Sequence, residues 1–220
     1  MLRAEHIEKK YGNLKVLKSI DLTIDKGRVV SIVGASGAGK STLLHIMGTL
    51  DKPDSGSVWL DNVELSRLKG NDLATYRNQN IGFIFQFHNL MPEFTALENV
   101  CIPAYLSGKK SDREIINRGK DLLQMLGLKE RMDHKPSEMS GGEQQRTAVA
   151  RALMNNPAVV FADEPSGNLD SQTADDLHRL FFQLREELGQ TFVIVTHNEE
   201  LADMADEKFE IKDGVVYEGD

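Results

Sequence analysis

The chain has 220 residues, 26 Lys and Arg against 34 Asp and Glu, a formal net charge of −8 and a single cysteine, Cys101. That length suits one large domain, or a domain with a small lobe; the acidic balance argues against a general nucleic-acid binder, which would present a basic face; and one cysteine permits no internal disulfide, in keeping with a reducing compartment. No apolar run approaches the roughly 18 residues of a membrane span, and the start Met1-Leu2-Arg3-Ala4-Glu5-His6 is charged and lacks an apolar leader core, so a cytosolic protein is expected.

Leu2–Tyr11 and Val16–Ile24 read as short strands. The β-branched run Arg28-Val29-Val30-Ser31-Ile32-Val33 reads as a buried strand, and Ser41-Thr42-Leu43-Leu44-His45-Ile46-Met47 as the start of a helix. Between and into them runs Gly34-Ala35-Ser36-Gly37-Ala38-Gly39-Lys40-Ser41-Thr42, a complete G-x-x-x-x-G-K-[ST] phosphate loop. Its glycines let successive N–H groups turn inward around phosphate oxygens, and the helix start adds its dipole. Lys40 is then placed to reach the β- and γ-phosphates of a nucleotide, and Ser41 to ligate Mg²⁺ through its hydroxyl. A plain glycine-rich turn is the alternative, and the strand and helix on either side weigh against it. Tyr11, upstream beside Gly12, is a candidate to stack on adenine, although one tyrosine of four carries little weight by itself.

Ser57–Leu60 and Ile81-Gly82-Phe83-Ile84-Phe85 read as further strands. Gln86 ends the second and is a candidate to ligate Mg²⁺ through its amide oxygen. From about Thr95 to Asn156 the chain looks mostly helical, with Ser111-Asp112-Arg113-Glu114 as a capping box. Within it, Ser140-Gly141-Gly142 opens a helix over Glu143–Met154, with Ser140 as N-cap and glycine amides exposed at a positive helix end. One chain thus holds two anion sites and a single phosphate loop. The simple resolution is that Ser140 completes a site on a second copy of the chain, with ATP held between the two.

Val159-Val160-Phe161-Ala162 is an apolar strand that ends in Asp163 and Glu164. Ligands of open parallel sheets bind beyond the carboxyl ends of strands, so Asp163 is placed to hold Mg²⁺ through water and Glu164 to polarise an attacking water. Gln172–Leu188 carries a helical apolar stripe through Leu177, Leu180, Phe181 and Leu184. His197 follows the strand Thr191–Val195, where it could contact a γ-phosphate. Lys208–Glu218 reads as a hairpin turning at Asp213-Gly214. Strands alternating with helices imply an α/β fold with a mostly parallel sheet covered on both faces, and the helical stretch in the middle looks like an inserted lobe.

In these residues the chain resembles the nucleotide-binding subunits of ABC transporters over nearly its whole length. The motifs stand in family order: Tyr11 as the A-loop, Gly34–Thr42 as Walker A, Gln86 as the Q-loop, Met139–Glu143 as the signature, Val159–Glu164 as Walker B, Ser166–Asp170 as the D-loop and His197 as the switch. The resemblance extends to the lipoprotein-releasing and macrolide-exporter branch. It is carried there by Phe87–Val100, by Ser140-Gly141-Gly142-Glu143-Gln144-Gln145-Arg146 and by Ala162-Asp163-Glu164-Pro165-Ser166-Gly167-Asn168-Leu169-Asp170. Three departures are visible: Met139 for the usual Leu, Ser166 for the usual Thr, and a short turn at Gly12-Asn13-Leu14-Lys15.

The resemblance implies a P-loop NTPase core of the RecA-like kind, made by residues 1–86 and 157–220 with an N-terminal antiparallel β subdomain, and an inserted helical subdomain at about 87–156. It implies an ATPase using ATP and Mg²⁺, with Lys40, Glu164 and His197 catalytic. Tyr11, Gly34 to Thr42, Gln86 and Ser140 to Glu143 would bind ATP, and Ser41, Gln86 and Asp163 the metal. It further implies a dimer with a second copy, no nucleic acid, and integral membrane transporter subunits that recruit the chain to the cytoplasmic face of the inner membrane. Family contacts with such subunits lie here at about Phe87–Leu106. Export or release of lipoproteins or other hydrophobic cargo is the leading expectation. A cell-division ATPase signalling to a periplasmic hydrolase would share every catalytic motif. A soluble ATPase of translation or DNA repair ranks below both, because those carry tandem domains or a coiled-coil insertion.

Overall fold

Residues 1–219 are described by the computed structural model, and they fall into two units, Met1–Ala74 with Phe181–Asp220, and Thr75–Leu180.

The first unit contains two sheets. One is antiparallel, in the order β2-β1-β4-β5, from β1 (Leu2–Tyr11), β2 (Leu14–Ile24), β4 (Ser55–Leu60) and β5 (Val63–Glu64). Leu2, Ala4 and Ile7 of β1 are buried. The other is built on β3 (Val29–Val33), which pairs in parallel with β8 (Thr191–Val195) on one side and β9 (Glu207–Lys212) on the other. β10 (Val215–Glu218) closes the hairpin with β9. Val29, Val30, Ile32 and the whole of β8 are buried, as strands covered on both faces require. Their cover includes α1 (Lys40–Met47), which buries Leu43, Leu44, Ile46 and Met47, and α7 (Glu199–Met204), which buries Leu201 and Ala202. Each Leu-sized side chain buried in this way contributes on the order of 2 kcal/mol.

In the second unit, β6 (Ile81–Phe85) and β7 (Val159–Asp163) run parallel, in register from Ile81 opposite Val159 to Phe85 opposite Asp163. The rings of Phe83 and Phe161 stack across the pair at 5.8 Å. Three helices follow one another: α3 (Ala96–Ser107), α4 (Asp112–Met125) and α5 (Gly141–Leu153). Each opens on a capping box, Thr95 with Glu98, Ser111 with Glu114 and Ser140 with Glu143, so that the N–H groups of the N-cap and N3 residues at each start are satisfied by the chain itself. α3 and α4 approach so closely that a Cβ on Gly119 would lie 2.8 Å from Cys101 Sγ. Burial pushes the Cys101 thiol up to about 11, which makes it a packing group rather than a reactive one.

The expected strands and the helices with an apolar stripe hold with small shifts of boundary. β2 begins at Leu14 and α5 at Gly141, two residues earlier than the patterns suggest. α2 (Gly70–Asn80) and α6 (Ser171–Leu188) cross the boundaries between the units; α6 is the helix expected from Gln172, whereas α2 is absent from the sequence reading because it has no buried residue and hence no apolar stripe. The short β5 and α7 likewise carry too few residues to show a period.

α5 lies hard against β6: a Cβ on Gly82 would sit 2.6 Å from the Ala152 carbonyl oxygen, a backbone atom that cannot swing away. Gly82→Ala should therefore cost about 2 kcal/mol and lower the melting temperature by roughly 4–8 °C. Thermal unfolding followed by circular dichroism checks this, and an unchanged midpoint would show that the helix can retreat.

Candidate active site

The residues singled out in the sequence fall into two groups, one in each unit. In the first, β3 hands the chain to α1 through the loop Gly34–Gly39. Gly34 has φ +144, and a Cβ there would lie 2.2 Å from the Ile211 carbonyl oxygen on β9. Gly39 has φ +107 and stands at the N-cap of α1 with no side chain to cap it, and such a helix start attracts an anion. Ser36 and Gly37 are exposed at the loop tip. The Lys40 ammonium folds back along the loop and donates to the carbonyls of Gly34, at 2.8 Å, and Ala35, at 3.1 Å. A cation is thereby held where the helix dipole already favours an anion.

His197 belongs with this loop. The Thr196 N–H donates to the Ile32 carbonyl at 3.2 Å, which fixes the end of β8 beside the end of β3. His197 and the loop residues Gly34 and Ala35 line one open cleft of about 590 Å³. Behind His197, Asn198 caps α7 by accepting the Leu201 N–H at 2.8 Å. Tyr11 ends β1 and is about half exposed; its hydroxyl donates to Asp51 at 2.6 Å.

In the second unit, Gln86 follows β6 and Asp163 ends β7, so the parallel register of the two strands brings them to the same end. Gln86 and Asn168 hold each other reciprocally: Gln86 Nε2 donates to Asn168 Oδ1 at 3.1 Å, and Asn168 Nδ2 to the Gln86 carbonyl at 3.1 Å. The amide nitrogen of Gln86 is thus used by the protein, which leaves its oxygen as the ligand end. Glu164 has φ +47, left-handed backbone that a non-glycine residue adopts at a cost of about 1–2 kcal/mol. The turn is held by the Gly167 N–H donating to the Glu164 carbonyl at 3.1 Å. Gln145 of α5, fully buried, donates to the Pro165 carbonyl at 2.6 Å and to that of Phe85 at 3.4 Å. One side chain so braces the segments that follow β6 and β7.

The start of α5 is the third piece. Ser140 Oγ accepts the Glu143 N–H at 3.2 Å. Gly141 and Gly142 form the first turn; a Cβ on Gly142 would meet Thr173 Cγ2 at 2.4 Å. Glu143 closes the box by accepting the Ser140 N–H at 2.8 Å and the Arg131 Nε–H at 2.7 Å. Its carboxylate is therefore committed to the protein. Ser41 in the first unit, and Gln86 and Asp163 in the second, each carry a side-chain oxygen of the kind a hard cation takes.

Three bracing residues escape a reading of the sequence. Asn168 lies inside a motif but its reciprocal amide pair with Gln86 joins positions 82 apart, and Gln145 joins positions 60 and 20 apart. Asp51, 40 residues from Tyr11, sits in an ordinary turn.

A family model described as ABC transporter matches residues 17–167. The "Lipoprotein-releasing system ATP-binding protein LolD" of Cytophaga hutchinsonii is 60% identical over 216 residues, which cover 98% of each chain. The protein of the same name in Bacteroides thetaiotaomicron is 58% identical, over 98% of this chain and 99% of its own. Among solved structures, the ATP-binding cassette MJ0796, as a dimer in a post-hydrolysis state bound to ADP and Pi, superimposes with a TM-score of 0.89 at 42% identity, covering 100% of this chain and 98% of its own. The α/β architecture expected from the sequence is that of these cassettes.

The Glu143 bond network has a measurable signature. The bond from Arg131, followed by that from the Ser140 N–H, holds the Glu143 carboxyl below its ordinary value of 4.5. A lowered pKa means that the unfolded chain takes up the proton first, so the stabilisation is full above pH 4.5 and is lost as pH falls through the folded value. Glu143→Gln should lower stability by about 1 kcal/mol at pH 7, and the gap to the wild type should close on going to pH 3. Paired melting curves across that range check it; a gap independent of pH would mean that the charge contributes nothing.

Proposed function

The chain belongs to the ABC transporter family, and on that premise we propose that it is the ATP-hydrolysing subunit of a lipoprotein-releasing complex, acting as a dimer that closes on ATP and reopens after hydrolysis. The observation that carries this reading is the identity of 60%, over 98% of each chain, to a lipoprotein-releasing subunit. The relatives compared above give the cell-division alternative no support.

Each residue then has a task. The amides of the Gly34–Lys40 loop and the start of α1 cradle the phosphates, and Lys40 exchanges its two carbonyl partners for β- and γ-phosphate oxygens. Tyr11 carries the adenine. Mg²⁺, when bound, neutralises charge on the β- and γ-phosphate oxygens, and Ser41, Gln86 and Asp163 would hold it. Glu164 takes the proton of the attacking water, and the left-handed backbone beneath it sets the direction of the carboxylate. His197, whose ring edges the cleft beside Gly34 and Ala35, contacts the γ-phosphate. Ser140, Gly141 and Gly142 cap the nucleotide held by the other copy, using the hydroxyl proton and the first N–H groups of α5. In this scheme Glu143 acts by fixing Ser140 rather than by touching ATP.

Among the described residues no helix is long and apolar enough to cross a membrane. We place the chain at the cytoplasmic face of the inner membrane through its partner. The inserted helical subdomain at about 87–156 supplies the docking surface. Phe87 is 74% exposed and Leu106 77%, with Met91, Phe94 and Tyr105 also turned outward. The backbone beneath this surface is fixed: buried Asn99 accepts the Met91 N–H at 2.7 Å and donates to the carbonyls of Met91, Phe94 and Thr95, and Arg151 donates to those of His88 and Asn89. Exposed apolar side chains on a fixed backbone fit a standing protein contact.

Tagged protein carrying Glu164→Gln, drawn from detergent-solubilised native membranes with Mg·ATP, should bring down a membrane subunit with lipoprotein attached. A cell-division membrane protein in its place would move the function to signalling. Lys40→Ala should weaken ATP binding by about 10-fold or more, the worth of a charge-assisted bond; calorimetry showing unchanged affinity would remove Lys40 from the phosphate site.

A further inference from the structure

Tyr11 is not a loose side chain waiting for a base. Its hydroxyl donates to Asp51 Oδ2 at 2.6 Å. The other oxygen, Oδ1, accepts Lys9 Nζ at 2.8 Å and the Lys52 N–H at 2.7 Å. Lys9, only 8% exposed, donates in addition to the Lys52 carbonyl at 2.5 Å, and its ammonium stands over the Tyr11 ring, 5.2 Å from the centroid. One face of the ring is therefore covered by a cation, while about half of the residue stays exposed.

The anchor of this cluster is the helix that carries the phosphate loop. Asp51 and Leu50 donate their N–H groups to the His45 carbonyl near the C-terminal end of α1, at 3.1 and 2.8 Å. Burial alone would raise the Asp51 carboxyl, but the bonds from Lys9, Tyr11 and the Lys52 N–H bring it down to about 2, so the charge persists throughout the physiological range. The bond to Asp51 raises the Tyr11 phenol, which stays protonated and donating.

We propose that Asp51, seated by Lys9, is a positioning residue that locks the Tyr11 ring to α1 and so sets the span between the base platform and the phosphate loop. The inference rests on the reading that Tyr11 stacks on adenine. An aromatic ring about half exposed at a strand end would otherwise lose rotamer freedom when the base arrives; fixing it beforehand removes that cost from binding. Asp51 and Lys9 touch no part of the nucleotide in this scheme, so their effect passes through Tyr11 alone.

The test compares the affinities of the full-length chain for ATP and for inorganic tripolyphosphate, which has the phosphates without the base. Asp51→Ala and Tyr11→Phe should each weaken ATP binding by about fivefold, the worth of one such bond, and leave tripolyphosphate binding unmoved. Turnover of Asp51→Ala at saturating ATP should stay at the wild-type rate, and the double variant should be no weaker than either single one. Asp51→Ala strands the buried Lys9 charge and is the variant at risk of misfolding; Tyr11→Phe leaves the Lys9–Asp51 pair whole and decides the matter alone if need be. Equal loss of ATP and tripolyphosphate binding, or additive losses in the double variant, would overturn the inference. If Tyr11→Ala weakens ATP binding while Tyr11→Phe does not, stacking stands and positioning falls. If Tyr11→Ala itself leaves ATP binding unmoved, the stacking reading fails and this inference with it.

Discussion

The tightest constraint in the first unit is the absence of a side chain at Gly34. β3 can turn into a phosphate loop only where the Ile211 carbonyl of β9 presses against its Cα, 2.2 Å from where a Cβ would stand. Any other residue would drive β9 from β3 or lift the loop off the sheet edge. With the loop seated, the rest of that group follows. Gly39 opens α1 without a cap, Lys40 lies back along Gly34 and Ala35, and β8, parallel to β3, delivers His197 to the same cleft. Cover on both faces also explains why β3 and β8 are almost wholly apolar, while β9 alternates buried Phe209 and Ile211 with exposed Glu210 and Lys212.

The second unit solves a different problem, that of holding polar side chains at strand ends without a covering sheet. It does so with amides. The reciprocal bonds of Gln86 and Asn168 and the buried Gln145, bonded to the Phe85 and Pro165 carbonyls, turn two strand-end loops into one braced structure. Within this brace Glu164 keeps a left-handed backbone that it would not adopt in isolation. The start of α5 uses the same economy of parts: one carboxylate, Glu143, serves both the cap and the bridge to Arg131.

The legible part of this protein was the part with a local period or a local motif. The phosphate loop could be read because its glycines, lysine and serine are consecutive and flanked by an apolar strand and a helix. β7 and β8 could be read because both faces are buried, the capping box at Ser111 because it follows a four-residue pattern, and Ser140 as an N-cap; the boxes at Thr95 and Ser140 emerge only in the structure. α2 could not be read, since none of its residues is buried and a helix without an apolar stripe shows no period. Nor could the bracing contacts: Asp51 with Tyr11, Gln145 with Pro165 and Asn168 with Gln86 join residues whose proximity only the fold creates. Glu143 shows the boundary between the two kinds of evidence. Its place in a motif suggests a ligand contact, while its bonds assign it to the helix cap.

The central claim is that each ATP is completed by a second copy of the chain. Light scattering on the purified Glu164→Gln variant tests it most directly, because blocked hydrolysis should hold the closed state. With Mg·ATP the account predicts a particle of twice the monomer mass of 24.6 kDa, reverting to the monomer when ATP is withheld. A monomer at saturating Mg·ATP would contradict it.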